Sequence, residues 1–404
     1  MQGWQNSVNC FKILYLHKNW CYFTNRKSSR KHIIGSYMTN RELAVFDGET
    51  AVSRIFVSET WEGFERCFRE ARPVFFVYDR NVEHVVSIIE TMVRPEAKLP
   101  LDVGEDVKTV DAAVKICTWL LDAGADRNSL VLAVGGGILT DMAGFAAAIY
   151  KRGVSVAYIP TTLLAQVDAS LGGKTGVNLN SYKNILGVVR QPDFTYVCTE
   201  TLLSLSRRDL LSGVAEMLKT FIIGESWCYE KAVAFFSAEA CLCKSGVSEM
   251  TGLIYAAAGV KASIVSEDQF ENGSRRILNL GHTFAHAIEW CEHSSGKYSG
   301  TDLSHGQAVA IGIVLAARLS EMLGLAEMGL AEKLKADFMS CGLPVESPFP
   351  ISELAEAMEK DKKAEGGMVN FVLIEKIGKV IVKPLSVSEV VKKIKKYDLY
   401  NFAE

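Results

Sequence analysis

The chain has no CxxC pair, no GxGxxG fingerprint, no internal repeat and no low-complexity tract. Its ten cysteines (Cys10, Cys21, Cys67, Cys117, Cys198, Cys228, Cys241, Cys243, Cys291 and Cys341) are scattered, which excludes zinc-ribbon and dithiol redox spacings and leaves reduced thiols in a cytoplasmic enzyme as the simplest expectation. No apolar run reaches the roughly 18–20 residues needed to span a bilayer, so no membrane partner is expected. Neither charge sign dominates. Lys+Arg number 44 against Asp+Glu 47, a net charge of −3, so there is no global basic footprint for nucleic acid and a small anionic metabolite is the better partner. The Lys-rich stretch Lys392–Lys396 reads as a solvated helix face. With 404 residues, 49% hydrophobic and 23% charged, the chain is long enough for one large two-lobed domain or two domains with a sizeable core.

Acidic residues are missing from positions 1–37. That segment carries +6 from Lys12, Lys18, Arg26, Lys27, Arg30 and Lys31, whereas residues 38–404 carry −9. Composition becomes that of an ordinary soluble domain at Met38. The segment is therefore read as a basic extension, either disordered or the product of an upstream start codon, with a targeting role as the alternative.

From Arg54 to Val197, short β-branched and aromatic runs alternate with helical patterns. Val74–Tyr78 and Ser129–Val134 read as strands, while 82–93 and 107–123 read as helices. That alternation predicts a parallel sheet covered by helices, an α/β nucleotide-binding domain over 38–198. After Thr199 the pattern turns to long helices over 208–223, 249–267, 282–292, 305–323 and 351–360, predicting an all-helical metal- and substrate-binding domain over 199–404. The polar stretch 293–304 reads as a loop.

Three features carry chemistry. Gly135, Gly136 and Gly137 lie between an apolar strand and a helix expected over Asp141–Tyr150. Glycines there let backbone approach a phosphate at a helix N-terminus, although a ligand-free tight turn is the alternative. Asp79 and Asn81 follow the strand ending at Tyr78, where an Asp can accept from ribose hydroxyls. His282 and His286 stand one helical turn apart, with His305 further along and Glu216 and Lys219 on one face of another helix. A Glu plus two His with an open position makes a catalytic zinc-type site; helix-surface or core histidines are the alternative. Arg152, Lys174, Lys183, Lys261 and Arg275, with Asp168, Asn178, Asn184 and Asn279 among them, form a cationic set suited to a phosphorylated substrate.

These residues resemble a known family, the sugar phosphate cyclases and within them the 3-dehydroquinate synthases. The resemblance covers about 74–382 and rests on Gly135–Asp141, Tyr150–Gly153, Pro160–Ala165, Gly172–Gly176, Lys183-Asn184, Ala215–Lys219, Asn279–Phe284, His305-Gly306 and Asp361–Lys363. It implies conversion of 3-deoxy-D-arabino-heptulosonate 7-phosphate to 3-dehydroquinate and phosphate in the shikimate pathway, using recycled NAD and one divalent metal, zinc or cobalt, in a homodimer.

By the same resemblance, Glu216, His282 and His305 would hold the metal and His286 would stand beside them as a proton relay. Asp79, Asn81, Glu105, Lys108, Gly136, Gly137, Asp141, Thr161, Thr162, Lys183, Thr201 and Ser204 would hold NAD. Lys174, Asn184, Lys219, Lys261, Arg275, Asn279, His286 and Lys362 would surround the substrate, with Asp168 near the metal and Arg152 reaching the neighbouring subunit's phosphate. The sequence departs from the family's usual pattern at Gln307, Tyr182 and Ala169. Three alternatives stand: another sugar phosphate cyclase, which the pair Lys261 and Arg275 disfavours; a metal-dependent polyol dehydrogenase, which would not need so many cations; and a catalytically dead relative, which the filled ligand positions disfavour.

Overall fold

The computed structural model describes residues 12–16, 20–24, 40–180, 182–238, 244–294, 303–361 and 368–401. The chain divides into two compact units, Met1–Thr39 and Asn40–Glu404. In the first, β1 (Lys12–Leu16) and β2 (Trp20–Thr24) pair antiparallel. The rest of the basic extension lies outside the described residues.

The second unit is built on a seven-stranded sheet of β3 (Asn40–Asp47), β4 (Thr50–Ser58), β5 (Val74–Asp79), β6 (Ala97–Leu101), β7 (Leu130–Gly135), β8 (Ser155–Pro160) and β11 (Phe194–Cys198), in the order β3-β4-β11-β8-β7-β5-β6. All neighbours are parallel except β3, which adds to β4 as an antiparallel edge. Strand β7 shows why its sequence is an unbroken apolar run. Val131 and Ala133 enter the cluster under α2 (Val110–Asp122) and α3 (Gly137–Ile149), while Leu130, Leu132 and Val134 enter the cluster under α1 (Glu83–Glu90). A strand covered on both faces has no polar side to alternate with. Each buried Val or Leu among them contributes about 1.5–3 kcal/mol. Between β8 and β11 the chain makes a separate antiparallel hairpin, β9 (Lys174–Leu179) with β10 (Tyr182–Val189).

The remaining chain is mostly helical: α4 (Arg207–Gly224), α5 (Ser226–Ser237), α6 (Val247–Glu267), α7 (His282–Ser294), α8 (His305–Met322), α9 (Leu330–Ser340), α10 (Ile351–Asp361) and α11 (Val387–Asn401). Ser206 caps α4 by accepting from the Asp209 amide at 3.1 Å. Ser304 and Gln307 form a reciprocal capping box at the start of α8. An amide side chain serves that box as well as a carboxylate does, so Gln307 costs the helix start nothing. The expectation of an all-helical second half is corrected by one antiparallel hairpin, β12 (Met368–Lys376) with β13 (Lys379–Ser386). Phe371 on β12 packs against Phe284 of α7, with ring centroids 5.5 Å apart. No described helix is long and apolar enough to cross a membrane.

Candidate active site

The parallel strands end on one side of the sheet, and the residues expected to hold NAD gather at those ends. Asp79 and Asn81 follow β5, Glu105 and Lys108 follow β6, Gly136, Gly137 and Asp141 follow β7, Thr161 and Thr162 follow β8, and Thr201 and Ser204 follow β11. The chain leaves β5 for β6 on one side and reaches β7 on the other, so the crevice between Asp79 and the glycine turn is the topological switch point where ligands bind in open α/β sheets.

Helix α3 starts at Gly137, four residues earlier than the sequence suggested, because the third glycine is already helical. It has no side-chain cap, which leaves the amide N–H groups of its first turn without a capping side chain at the positive end of the helix dipole. A Cβ at Gly135 would stand 2.6 Å from Leu139 Cδ2 and 3.2 Å from Asp79 Cβ, and one at Gly137 would stand 2.8 Å from Ala169 Cβ. These two glycines are thus demanded by close contact alone, and Ala169 is the side chain the second of them fits.

Several expected cofactor residues serve the walls of the pocket. Buried Lys108 donates to Asp141 Oδ2 and to Asn184 Oδ1, both at 2.6 Å. Burial pushes the Asp141 carboxyl up to about 6 against the pull of Lys108. Glu105 accepts from Asn178 at 2.8 Å, and the Asn178 side chain in turn accepts from the Asn184 amide at 2.9 Å. Asp79 accepts from the Asn81 amide at 2.9 Å. Thr161 donates its amide to the Gly135 carbonyl at 3.0 Å, and Thr162 Oγ1 accepts from the Ala165 amide at 3.2 Å. Thr201 is buried against Cys198 and Gln166, and Ser204 donates to the Thr201 carbonyl at 3.3 Å.

The three expected metal ligands come together from α4, α7 and α8. Their ligand atoms all lie within 4.8 Å of one another. His282 Nε2 stands 3.7 Å and His305 Nε2 3.5 Å from Glu216 Oε1. His282 Nδ1 lies 3.2 Å from the Leu280 carbonyl, which leaves Nε2 to face the carboxylate. His286 is exposed to one side, its ring 5.6 Å from that of His282 and 6.5 Å from that of His305. The cluster therefore takes its second imidazole from α8, and the HxxxH pair contributes one of its three side chains.

Glu216 is fully buried, and neither of its oxygens makes a hydrogen bond of sound geometry. Lys219 Nζ lies 2.5 Å from Oε2 as an ion-pair contact. A buried carboxylate with lone pairs to spare, facing two imidazole nitrogens, is the donor set a divalent cation requires. Burial would raise the Glu216 carboxyl, but Lys219 and His282 hold it down at about 2. Burial and Lys219 push His282 down to about 3, in its neutral, ligating form. Burial opposes the charge on His305, yet its contacts with Glu216 and Glu289 carry it up to about 10, so a cation on Nε2 would displace its proton.

The cations close around this centre. Lys261 Nζ donates to the Asp168 carbonyl at 2.6 Å and pairs with its carboxylate. Asp168 sits on a π-helical turn, Ala165–Ala169, a distortion frequent at functional sites. Burial pushes its carboxyl up, but Lys261 and Lys219 hold it below the ordinary range. Gly172 and Gly173 adopt φ of 94° and 73° ahead of Lys174. Arg275, buried, donates to the Gly172 carbonyl at 2.9 Å and to the Gln269 carbonyl at 2.5 Å, so part of its fork holds the turn that presents Lys174. Lys174 is half exposed and pairs with Glu271, which also accepts from Asn279 at 2.6 Å. Burial, Arg275 and Lys261 lower the Lys174 amine to about 8. Lys151 and Arg152 hold φ of 49° and 67°, a strained pair that leaves Arg152 at the surface. Lys362 lies outside the described residues, as does most of the loop expected over 293–304.

Two acidic residues were not anticipated. Glu271 follows a helix end and carries no motif. Glu289 had a signal: with His282 and His286 it shares one helix face at i, i+4 and i+7.

The same fold occurs in solved enzyme structures. A crystal structure of 2-deoxy-scyllo-inosose synthase complexed with carbaglucose-6-phosphate, NAD+ and Co2+ superposes with a TM-score of 0.75 at 21% identity, covering 88% of this chain and 99% of that one. Residues 98–212 match the family described as 3-dehydroquinate synthase N-terminal, and 213–364 match 3-dehydroquinate synthase C-terminal. A 3-dehydroquinate synthase from Acidithiobacillus ferrooxidans is 40% identical over 320 residues, 77% of this chain and 84% of its own. One from Dictyoglomus turgidum is 35% identical over 364 residues, 90% of this chain and 98% of its own. The chain belongs to the 3-dehydroquinate synthase family.

Proposed function

We propose that the chain converts 3-deoxy-D-arabino-heptulosonate 7-phosphate to 3-dehydroquinate and inorganic phosphate, as a cytoplasmic homodimeric lyase of the shikimate pathway. The observation that carries the reading is the fully buried Glu216 carboxylate, free of hydrogen bonds of sound geometry, facing His282 and His305 with the buried Lys219 beside it. Glu216, His282 and His305 would hold one divalent ion, zinc or cobalt, and the crevice at Asp79, the glycine turn and Asp141 would hold NAD. When bound, the ion supplies Lewis acidity toward a substrate hydroxyl and NAD supplies a hydride acceptor that later returns the hydride.

The chain's own residues do the rest. Lys219 and Lys261 are buried beside the centre and neutralise Glu216 and Asp168, so the site can take a dianionic phosphate and a carboxylate. Lys174 reaches into the same space from its glycine turn. With its amine lowered to about 8, it can hold or release a proton near neutral pH. Arg275 positions that turn through the Gly172 carbonyl, leaving its remaining N–H donors for the substrate carboxylate beside Lys261. Asn184, Asn279, His286 and Lys362 complete the substrate shell, and the strained, exposed Arg152 is offered to the phosphate in the other subunit of a dimer. In this reading the pocket belongs to a 38–198 lobe and the ion to a 199–404 lobe.

The test is phosphate release from the heptulosonate with NAD+ present, with and without a chelator, against sedoheptulose 7-phosphate as comparator. Chelator-sensitive release from the heptulosonate alone is expected. Release from the sedoheptulose ester alone would reassign the substrate, and no release from either would refute the reading.

A further inference from the structure

Glu289 sits on α7, buried to 8% exposure, and has no part in the roles assigned above. One oxygen, Oε1, lies 3.2 Å from His305 Nδ1 and 3.2 Å from Lys183 Nζ. The first contact fixes the imidazole so that its other nitrogen, Nε2, points at Glu216. The second fixes a lysine of β10 whose neighbour, Asn184, accepts from Lys108, and Lys108 in turn holds Asp141 in the first turn or so of α3. Polar contacts, continued through the backbone from Lys183 to Asn184, therefore join the Glu216–His282–His305 centre to the helix that follows the glycine turn, and Glu289 is the link between its two halves.

We propose that Glu289 is a positioning residue that couples the two sites, so that a divalent cation and NAD bind with positive cooperativity. The inference rests on the ligand assignments of the proposed function. The physical cause is shared ordering. A cation on His305 Nε2 immobilises the ring, the ring immobilises Glu289, and Glu289 then holds Lys183 and β10 in the arrangement the pocket needs, so the second ligand has less left to order. Coupling of this kind is reciprocal: each ligand must tighten the other by the same factor.

The test titrates the full-length protein with Co2+ and with NAD+, each in the absence and presence of the other and without substrate. The intact protein is expected to bind NAD+ at least about fivefold more tightly with Co2+ present, with the same factor in reverse. Glu289→Gln keeps the shape, and is expected to bring that factor to about one, weaken Co2+ roughly 10–100-fold and alter the visible Co2+ spectrum. Lys183→Met keeps the Glu289–His305 contact. It should abolish the coupling while leaving Co2+ affinity without NAD+, and the spectrum, unchanged. Coupling that survives Glu289→Gln overturns the proposal, as does an intact protein that binds both ligands independently while still turning over the heptulosonate. An intact protein that binds neither ligand overturns this proposal and the proposed function together.

Discussion

Glu216 lies in mid-α4 with both oxygens out of water, and Lys219 is its nearest charge. Replacing it with Gln keeps the volume but removes the anion, leaving Lys219 buried and unpaired. Breaking a buried pair in this way costs about 3–5 kcal/mol. The Glu216→Gln protein should lose Co2+ or Zn2+ binding by more than the roughly 100-fold seen when outer partners of a ligand are removed, measured by competition with a chromogenic chelator. Asp168 gives a pH dependence whose sign follows from its partners. Its carboxyl is held below the ordinary range by Lys261 and Lys219 despite burial. The folded state thus binds its proton less readily than the unfolded chain does. The stabilisation is complete above the unfolded carboxyl value, about 4, and is lost as pH falls below it. In denaturant titrations from pH 5 to 3, Asp168→Asn should flatten the acid slope by up to about 1.4 kcal/mol per pH unit at its lower end. An unchanged slope would mean that Asp168 is not ionised in the folded protein.

At the scale of elements, the centre depends on how closely α8 can lie against α4. A Cβ at Gly306 would stand 2.1 Å from the Ser212 carbonyl oxygen, and one at Gly312 would stand 2.1 Å from the Gly281 oxygen. These glycines bring His305 beside Glu216 and seat α8 against the turn that leads into His282. Gly306→Ala should destabilise the protein by about 1–3 kcal/mol in thermal unfolding and weaken metal binding as well, because the clash falls between the helices that carry Glu216 and His305. Most elements were legible in the sequence. The strands Val74–Asp79 and Leu130–Gly135 show as continuous apolar runs because both faces are covered, and the long helices show through their periodicity. What escaped was set by contacts distant in sequence. The start of α3 is hidden in the sequence because glycine signals a turn even where its backbone is helical. Hairpin β12–β13 is a short apolar run beside Gly378 whose partner Phe284 is far away in the chain. His282 and His286 share a helix face, yet which of them meets His305 is decided by α8. Glu289 reads as an ordinary solvated acid until α8 and β10 are packed around it.

At the scale of the molecule, the sheet's switch point and the Glu–His–His centre lie within the single compact unit Asn40–Glu404. A chain beginning at Met38 should therefore retain its melting temperature and its turnover of the heptulosonate. A soluble truncation that is folded but inactive would show that the basic extension takes part in function. In the proposed reaction the cofactor is used and restored in each cycle. The most direct measurement counts phosphate released from 3-deoxy-D-arabino-heptulosonate 7-phosphate while NADH absorbance is followed, for the intact protein and for Glu216→Gln. Many phosphates per active site with no accumulating NADH are expected from the intact protein, and neither signal from the variant. Steady accumulation of NADH, or phosphate release that Glu216→Gln leaves intact, would contradict the proposed reaction.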